Sequence, residues 1–267
     1  MRLLALAGLA LLLAAPGAFA EGSRSVFLED LTWTEVRADA KAGKSIVLVP
    51  IGGTEQSGPH IALGKHNARV RVLAGRIAQA LGNALVAPVV SYVPEGSIDP
   101  PAGHMRFPGT ISVPDEAFEK VLESAARSFR LHGFHDVFFL GDHGGYQKSL
   151  AKVATKLDRE WASSPVRVHA VEAYYLASDR EFAALLRKQG LSDAEIGTHA
   201  GAADTSLALA ADPQLVRSAR LHDGAAPGAA EGVSGDPRRA SAALGKAGLD
   251  LIVARTRDAI AREVARR

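Results

Sequence analysis

Five of the nine histidines lie in short glycine-rich segments that also carry carboxylates. The segments are 52–67, 94–110, 141–145 and 198–206, and the histidines are His60, His66, His104, His143 and His199. Glycine lets the backbone turn sharply, and neutral imidazole offers a lone pair near neutral pH. Imidazole and carboxylate together suit a divalent metal. The chain has no cysteine, which excludes thiolate metal sites, disulfides and a cysteine nucleophile.

Spacing alone does not select ligands among these side chains. No H-E-x-x-H pair is present, so helical spacing gives no metal signature. Taken singly, each histidine fits a structural or surface role as well as a functional one. The four other histidines keep that structural interpretation; they are His132, His135, His169 and His222.

Alternating strands and helices must position these segments. Apolar runs predict strands over 45–50, 84–93, 136–140 and 166–174. Helical patterns and caps predict helices over 67–81, 114–131, 146–161, 179–189 and 237–264, with another beginning at 205. This alternation predicts a single-domain, layered α/β/α fold with a mostly parallel central sheet. Ligands of such sheets bind beyond the carboxyl ends of the strands, where the polar segments begin.

The first twenty residues are typical of a secretory signal peptide. Arg2 precedes a short apolar run, and Ala18-Phe19-Ala20 fits the cleavage site. An uncleaved membrane anchor fits less well, because the run is short for a hydrocarbon core of about 30 Å. The sequence therefore predicts a signal peptide over 1–20 and a mature domain over 21–267 that is exported, periplasmic or secreted.

Composition narrows the classes of partner. The formal net charge is only +2, so the chain lacks the large excess of positive charge that is typical of nucleic-acid-binding proteins. The predicted mature chain has no second apolar segment of spanning length, and no stable membrane insertion is expected after signal cleavage. A small-molecule partner fits this chain better than a polyanion.

Five motifs, in order, resemble those of the creatininase family of metal-dependent amidohydrolases. They are GGTEQSGPHIALGKHN from Gly52, HMRFPGTIS from His104, GDHGGY from Gly141, HAGAADTS from His199 and GVSGDPRRAS from Gly232. The resemblance covers most of the predicted mature chain and implies the creatininase-like α/β fold. It also implies a homo-oligomer, for which the Gly/Ala-rich segment 223–235 is a candidate contact.

The resemblance implies a metal site with an altered ligand set. Glu55 and His143 match family ligands directly. His66 stands at the position of a bridging aspartate, Ser57 at that of a histidine, and Asp204 at that of a glutamate. A neutral imidazole cannot bridge two metals as a carboxylate can. We therefore expect Glu55, His66, His143 and Asp204 to hold one zinc or manganese ion, with iron(II) as a further candidate and one ion favoured over two.

The same resemblance implies hydrolysis of a C–N bond in a small amide, cyclic amides included, by metal-activated water. His199 matches the proton carrier. His104 and the backbone of Gly144 and Gly145 are expected to bind substrate. Ser57 and His60 are expected to contact and orient the metal-binding side chains without binding the metal themselves. Two alternatives stay open: a formamide or peptide hydrolase on the same scaffold, and a degenerate, non-catalytic protein that binds metal or ligand.

Overall fold

The computed structural model describes residues 25–222 and 226–266. The predicted signal peptide, 1–20, lies outside the described residues. The strands are β1 (Ile46–Ile51), β2 (Ala84–Val86), β3 (Asp136–Gly141) and β4 (Arg167–Ala170). The helices are α1 (Trp33–Lys41), α2 (Lys65–Leu81), α3 (Asp115–Leu131), α4 (Gln147–Glu160), α5 (Glu172–Leu176), α6 (Phe182–Lys188), α7 (Asp193–Ile196), α8 (Ala202–Ala211), α9 (Ala219–His222) and α10 (Ala242–Ala265).

The four strands form one parallel sheet in the order β2-β1-β3-β4. Every residue of the central strands β1 and β3 is buried, as expected for a parallel sheet covered on both faces. β1 and β3 pair in register from Ile46↔Asp136 to Ile51↔Gly141. Their carboxyl ends therefore lie side by side, and the two polar segments that follow begin from adjacent positions.

Helices cover both faces of the sheet and enclose two hydrophobic cores. Alternate strand residues point to opposite faces, so Leu48 and Phe138 pack toward α2, α6 and α10. Val49 and Phe139 pack toward α3 and α4 on the other face. This arrangement confirms the predicted layered α/β/α fold.

Three predicted elements are shorter than the sequence patterns suggested. β4 ends at Ala170, and α5 begins at Glu172, where a strand was expected to continue to 174. β2 contains only three residues of the apolar run 84–93. A short 3-10 turn follows Asp236, and α10 begins only at Ala242 because Ser241 caps it through the N–H of Leu244. Within 25–222 and 226–266, no helix is long and apolar enough to cross a membrane.

Candidate active site

A cleft beyond the carboxyl ends of β1 and β3 is lined by most of the predicted site residues. The hydroxyl of Tyr146 joins the two segments that enter it: it accepts the N–H groups of Asp142 and His143 at 3.1 and 3.0 Å and lies 2.7 Å from the carbonyl oxygen of Gly52. A side chain at Gly52 would collide with Asn67 of α2, because an added Cβ would lie 2.1 Å from its Oδ1. Because glycine has no side chain, the segment after β1 can lie directly against the start of α2.

Glu55 is at the centre of the cleft, and its two oxygens face different surroundings. The side chain is fully buried. Its Oε2 has no hydrogen-bond donor among the described residues. The Nε2 atoms of His104 and His143 lie 3.2 and 3.5 Å from that oxygen. One ligand atom from each of the three residues lies within 4.8 Å of the others. A buried, unpartnered carboxylate oxygen beside two imidazole nitrogens fits a zinc or manganese ion.

The other oxygen of Glu55 already contacts two basic side chains. Its Oε1 lies 2.8 Å from His66 Nε2 and 3.3 Å from the ammonium of Lys65. His66 Nδ1 lies 2.7 Å from Asp142 Oδ2, so both ring nitrogens of His66 contact carboxylates. Burial and Lys65 act to lower the pKa of His66, but Glu55 and Asp142 outweigh them and raise it. In this structure, therefore, His66 links two acids.

Asp204 is likewise paired with cations. Its Oδ2 lies 2.9 Å from Lys65 Nζ and also accepts the N–H of Ala200 at 2.9 Å. Its Oδ1 lies 2.9 Å from the guanidinium of Arg69. Burial opposes ionisation of Asp204, but Lys65 and Arg69 prevail and hold its pKa well below the ordinary range. The roles of His66 and Asp204 as metal ligands stay predictions.

Helix α2 contributes two cations that the sequence interpretation missed. Lys65 and Arg69 lie four residues apart and so share a face of the helix with His66. Arg69 also donates from Nε to Asp142 Oδ2 at 2.8 Å, and Tyr174 donates its hydroxyl to Asp142 Oδ1 at 2.6 Å. The helical spacing of the two basic residues next to His66 was the signal that could have revealed them.

Gln56 fixes the orientation of His104. Its Oε1 accepts the N–H of Gly58 at 2.9 Å, and its Nε2 donates to Gly232 O at 3.1 Å, so the amide can face only one way. The same Nε2 lies 3.0 Å from His104 Nδ1. The neutral ring of His104 then carries its proton on Nε2, toward Glu55. To bind a metal through Nε2, His104 must move that proton to Nδ1 and give up the Gln56 hydrogen bond.

His199 presents a free imidazole lone pair to the cleft. Its Nε2 donates to the main-chain oxygen of Gln56 at 2.9 Å, which leaves Nδ1 unprotonated. That Nδ1 lies 3.7 Å from Glu55 Oε1. Burial, followed by the charge of Lys65, lowers the pKa of His199 to about 4. His199 is therefore neutral at pH 7 and able to accept a proton at Nδ1.

Glu95 is a further buried acid that the sequence interpretation did not single out. Neither of its oxygens meets an N–H or O–H donor within the part of the chain that the structure describes, and its carboxyl group lies against that of Glu55. Burial and the neighbouring Glu55 raise the pKa of Glu95 to about 9. Its Oε2 lies 3.6 Å from His143 Nδ1, and burial lowers the pKa of that histidine to about 4. The only signal in the sequence was an acid within the glycine-rich segment 94–110.

The remaining predicted site residues lie around this centre. Ser57 is buried. The Nε2 of His60 lies 3.1 Å from the hydroxyl of Thr205 in α8, and its support of the ligands stays a prediction. Gly144 lines the cavity, and Gly145 directs its N–H at His143 Nδ1 at 3.2 Å.

The cavity in front of these residues has a volume of about 340 Å³. His104, His143 and His199 line it, together with Tyr175 and Leu207. This volume is at the lower end of the range for small-molecule pockets. Ser234 pairs with His199 through the backbone, which fixes the position of the segment that carries His199.

Comparison with known proteins identifies the family. The family model described as creatinine amidohydrolase matches residues 29–260. The chain belongs to the creatininase family. This confirms the resemblance carried by the five motifs, and it makes the chain a metal-dependent amidohydrolase.

Two relatives show the range of this family. The creatininase-family chain is 28% identical to the creatinine amidohydrolase of Pseudomonas putida over 206 residues, which cover 75% of this chain and 77% of that protein. It is 31% identical to the mycofactocin precursor peptide peptidase of Mycolicibacterium smegmatis over 212 residues, 75% of this chain and 78% of that protein. Relatives of similar identity thus carry names for different amide substrates.

Solved structures of the family share the fold. A creatinine amidohydrolase superposes with a TM-score of 0.75 at 26% identity, over 90% of this chain and 98% of that one. Two other solved creatininases, one described as a Zn–Zn type mutant and one as a Mn form, each have a TM-score of 0.74 at 26% identity and cover 90% of this chain and 99% of theirs. Zinc and manganese are the metals that the sequence predicted for this chain.

Proposed function

We propose that this amidohydrolase hydrolyses the C–N bond of a small amide, cyclic amides included, and that it does so after export from the cytoplasm. The observation that carries the proposal is the position of Glu55 Oε2: this unpartnered oxygen lies beside two imidazoles at a cavity of about 340 Å³. A lactam or a small linear amide fits within that volume.

Glu55 and His143 are the residues that we expect to hold the metal, with His104 as the third side chain within reach. His143 Nδ1 accepts the N–H of Gly145, so to bind a metal through Nε2 the ring must move its proton to Nδ1 and give up that hydrogen bond. Glu95 Oε2, 3.6 Å from Nδ1, is the carboxyl oxygen placed to accept the proton there after a small approach. When bound, a zinc or manganese ion supplies Lewis-acid polarisation of the carbonyl and lowers the pKa of water.

His199 performs the proton transfers in the proposed reaction. Its Nδ1 takes the proton of the attacking water and then delivers it to the leaving nitrogen of the amide. The main-chain oxygen of Gln56 fixes the tautomer that this requires, because it binds Nε2–H. The pKa of about 4 keeps the ring neutral at pH 7, so Nδ1 is unprotonated before the reaction begins.

Peptide hydrolysis is the second candidate, since the mycofactocin precursor peptide peptidase is 31% identical to this chain. A panel of lactams, small linear amides, formamides and short peptides, assayed with added Zn²⁺ or Mn²⁺, separates the two activities. We expect turnover of lactams or small amides and its loss in His199→Asn. Turnover of peptides alone would refute the small-amide proposal in favour of peptide hydrolysis. Ligand-induced thermal stabilisation without turnover of any compound would indicate a binding protein.

Export and oligomeric state are tested on the same protein. The signal-like segment 1–20 supports export, and we expect the periplasmic or secreted protein to begin at Glu21. Mass spectrometry of the intact chain measures this directly, and an unprocessed N-terminus in the cytoplasm would contradict it. The homo-oligomer implied by the family resemblance stays a prediction, which light scattering can measure.

A further inference from the structure

Lys65 places a buried positive charge between two carboxylates that come from distant parts of the chain. Its side chain is only 1% exposed. Its ammonium lies 3.3 Å from Glu55 Oε1 and 2.9 Å from Asp204 Oδ2. Glu55 follows β1, and Asp204 lies in the first turn of α8, so the ammonium joins the two segments through ion pairs, one of them hydrogen-bonded. A divalent ion shared by the same two carboxylates would make the same connection.

Other basic side chains contact the remaining carboxylate oxygens on this side of the centre. Arg69 binds the second oxygen of Asp204 at 2.9 Å and also Asp142. His66 occupies Glu55 Oε1 at 2.8 Å. Each oxygen of Asp204 therefore already has a cationic partner, and so does Oε1 of Glu55. The unpartnered oxygen of Glu55 is Oε2, on the opposite side, which faces His104 and His143.

We propose that the ammonium of Lys65 takes the place of a second divalent cation, so that the centre accepts one metal ion, on the Oε2 side of Glu55. A second ion on the Oε1 side would have to displace or closely approach a buried ammonium of the same charge sign. A solved relative is described as a Zn–Zn type, so the absence of a second ion would be a property of this chain. This inference rests on the metal centre of the proposed function and is independent of the substrate.

The test counts manganese ions in matched variants. Lys65→Met removes the charge but keeps a side chain of similar length, and its soft thioether is a poor ligand for Mn²⁺. Lys65→Arg is the control, because it keeps the charge. Each purified protein is stripped with EDTA and equilibrated by dialysis against MnCl₂, and bound manganese per chain is measured by inductively coupled plasma mass spectrometry.

We expect one manganese per wild-type chain, one per Lys65→Arg chain and close to two per Lys65→Met chain. We also expect Mn²⁺ to raise the melting temperature of Lys65→Met more than that of wild type, since the ion supplies the missing charge. If Lys65→Met is unstable without metal, we expect it to be recovered by purification in MnCl₂ and lost again with EDTA.

Three results would overturn the proposal: two ions in wild type, one ion in Lys65→Met, or failure to recover Lys65→Met even with manganese. Failure of the substrate panel leaves these counts unchanged, because the measurement contains no substrate. The metal count and the proposed reaction are thus tested separately.

Discussion

Replacing Arg69 with methionine is expected to destabilise the fold strongly. The guanidinium is 4% exposed and pairs with two acids, Asp142 at 2.8 Å and Asp204 at 2.9 Å. Methionine fills similar space but provides no hydrogen-bond donor. Asp142 would keep its hydrogen bond from Tyr174, and Asp204 its contact with Lys65, but each would lose its guanidinium partner.

The expected magnitude follows from the burial of this pair. Removing one partner from a buried ion pair typically costs about 3–5 kcal/mol, because it leaves an uncompensated charge in the interior. For a domain of this size, each kcal/mol shifts the melting temperature by about 2–4 °C. Arg69→Met should therefore lower the melting temperature by roughly 6–20 °C.

Helix α2 provides a matched control in Arg76, seven residues further along. Arg76 binds a single carboxylate, Asp250, and the two side chains are 37% and 45% exposed. An exposed pair of this kind contributes at most about 1 kcal/mol, so Arg76→Met should shift the melting temperature by only a few degrees.

The assay is urea denaturation of the metal-free proteins in EDTA at pH 7, with unfolding monitored by circular dichroism. It measures the free energy of unfolding and, through the slope, any change in the surface exposed on unfolding. If Arg69→Met and Arg76→Met lose the same free energy, within about 1 kcal/mol, the buried network does not stabilise the fold and the reasoning is refuted.

Three further predictions concern the candidate active site. His199→Asn should lower kcat by about 10²–10⁴-fold with the bound metal unchanged, as measured by steady-state kinetics and metal analysis; an unchanged kcat would remove His199 from the proton transfers. The metal-free protein should lose stability as the pH falls from about 6.5 to 4. In that range the unfolded chain binds protons that His143 and His199, each with a pKa of about 4, do not bind when folded, and each contributes up to about 3 kcal/mol. The raised pKa of Glu95 acts in the opposite direction and offsets part of this loss, but one acid does not cancel two histidines. Denaturation midpoints independent of pH would contradict the prediction. His104→Ala should weaken Mn²⁺ binding by at least about tenfold and His66→Ala by less, although His66→Ala should destabilise the fold; the opposite order of dissociation constants would favour His66 as the ligand.

The sequence was sufficient to predict the layers and the edge of the sheet where the site lies. Runs such as 45–50 and 136–140 are apolar throughout, which is how buried parallel strands differ from half-exposed ones. Glu55 and His143 follow those two strands closely, and parallel pairing brings their segments together. The end of β4 at Ala170 was not predictable in the same way, because the apolar run continues into a helix, and a short apolar run does not distinguish the two structures.

By itself, then, the sequence determined the family, the α/β/α architecture and the group of acids and histidines around one cleft. Only the tertiary structure decided what each atom contacts. It placed Lys65 between Glu55 and Asp204, and Glu95 beside His143, through contacts that join distant parts of the chain. The physical reason is that metal binding and ion pairing are sensitive to differences of a few tenths of an ångström in interatomic distance. They also depend on which oxygen of a carboxylate the cation approaches. Residue types and spacing do not encode those distances; the packing of α2 and α8 against the sheet sets them.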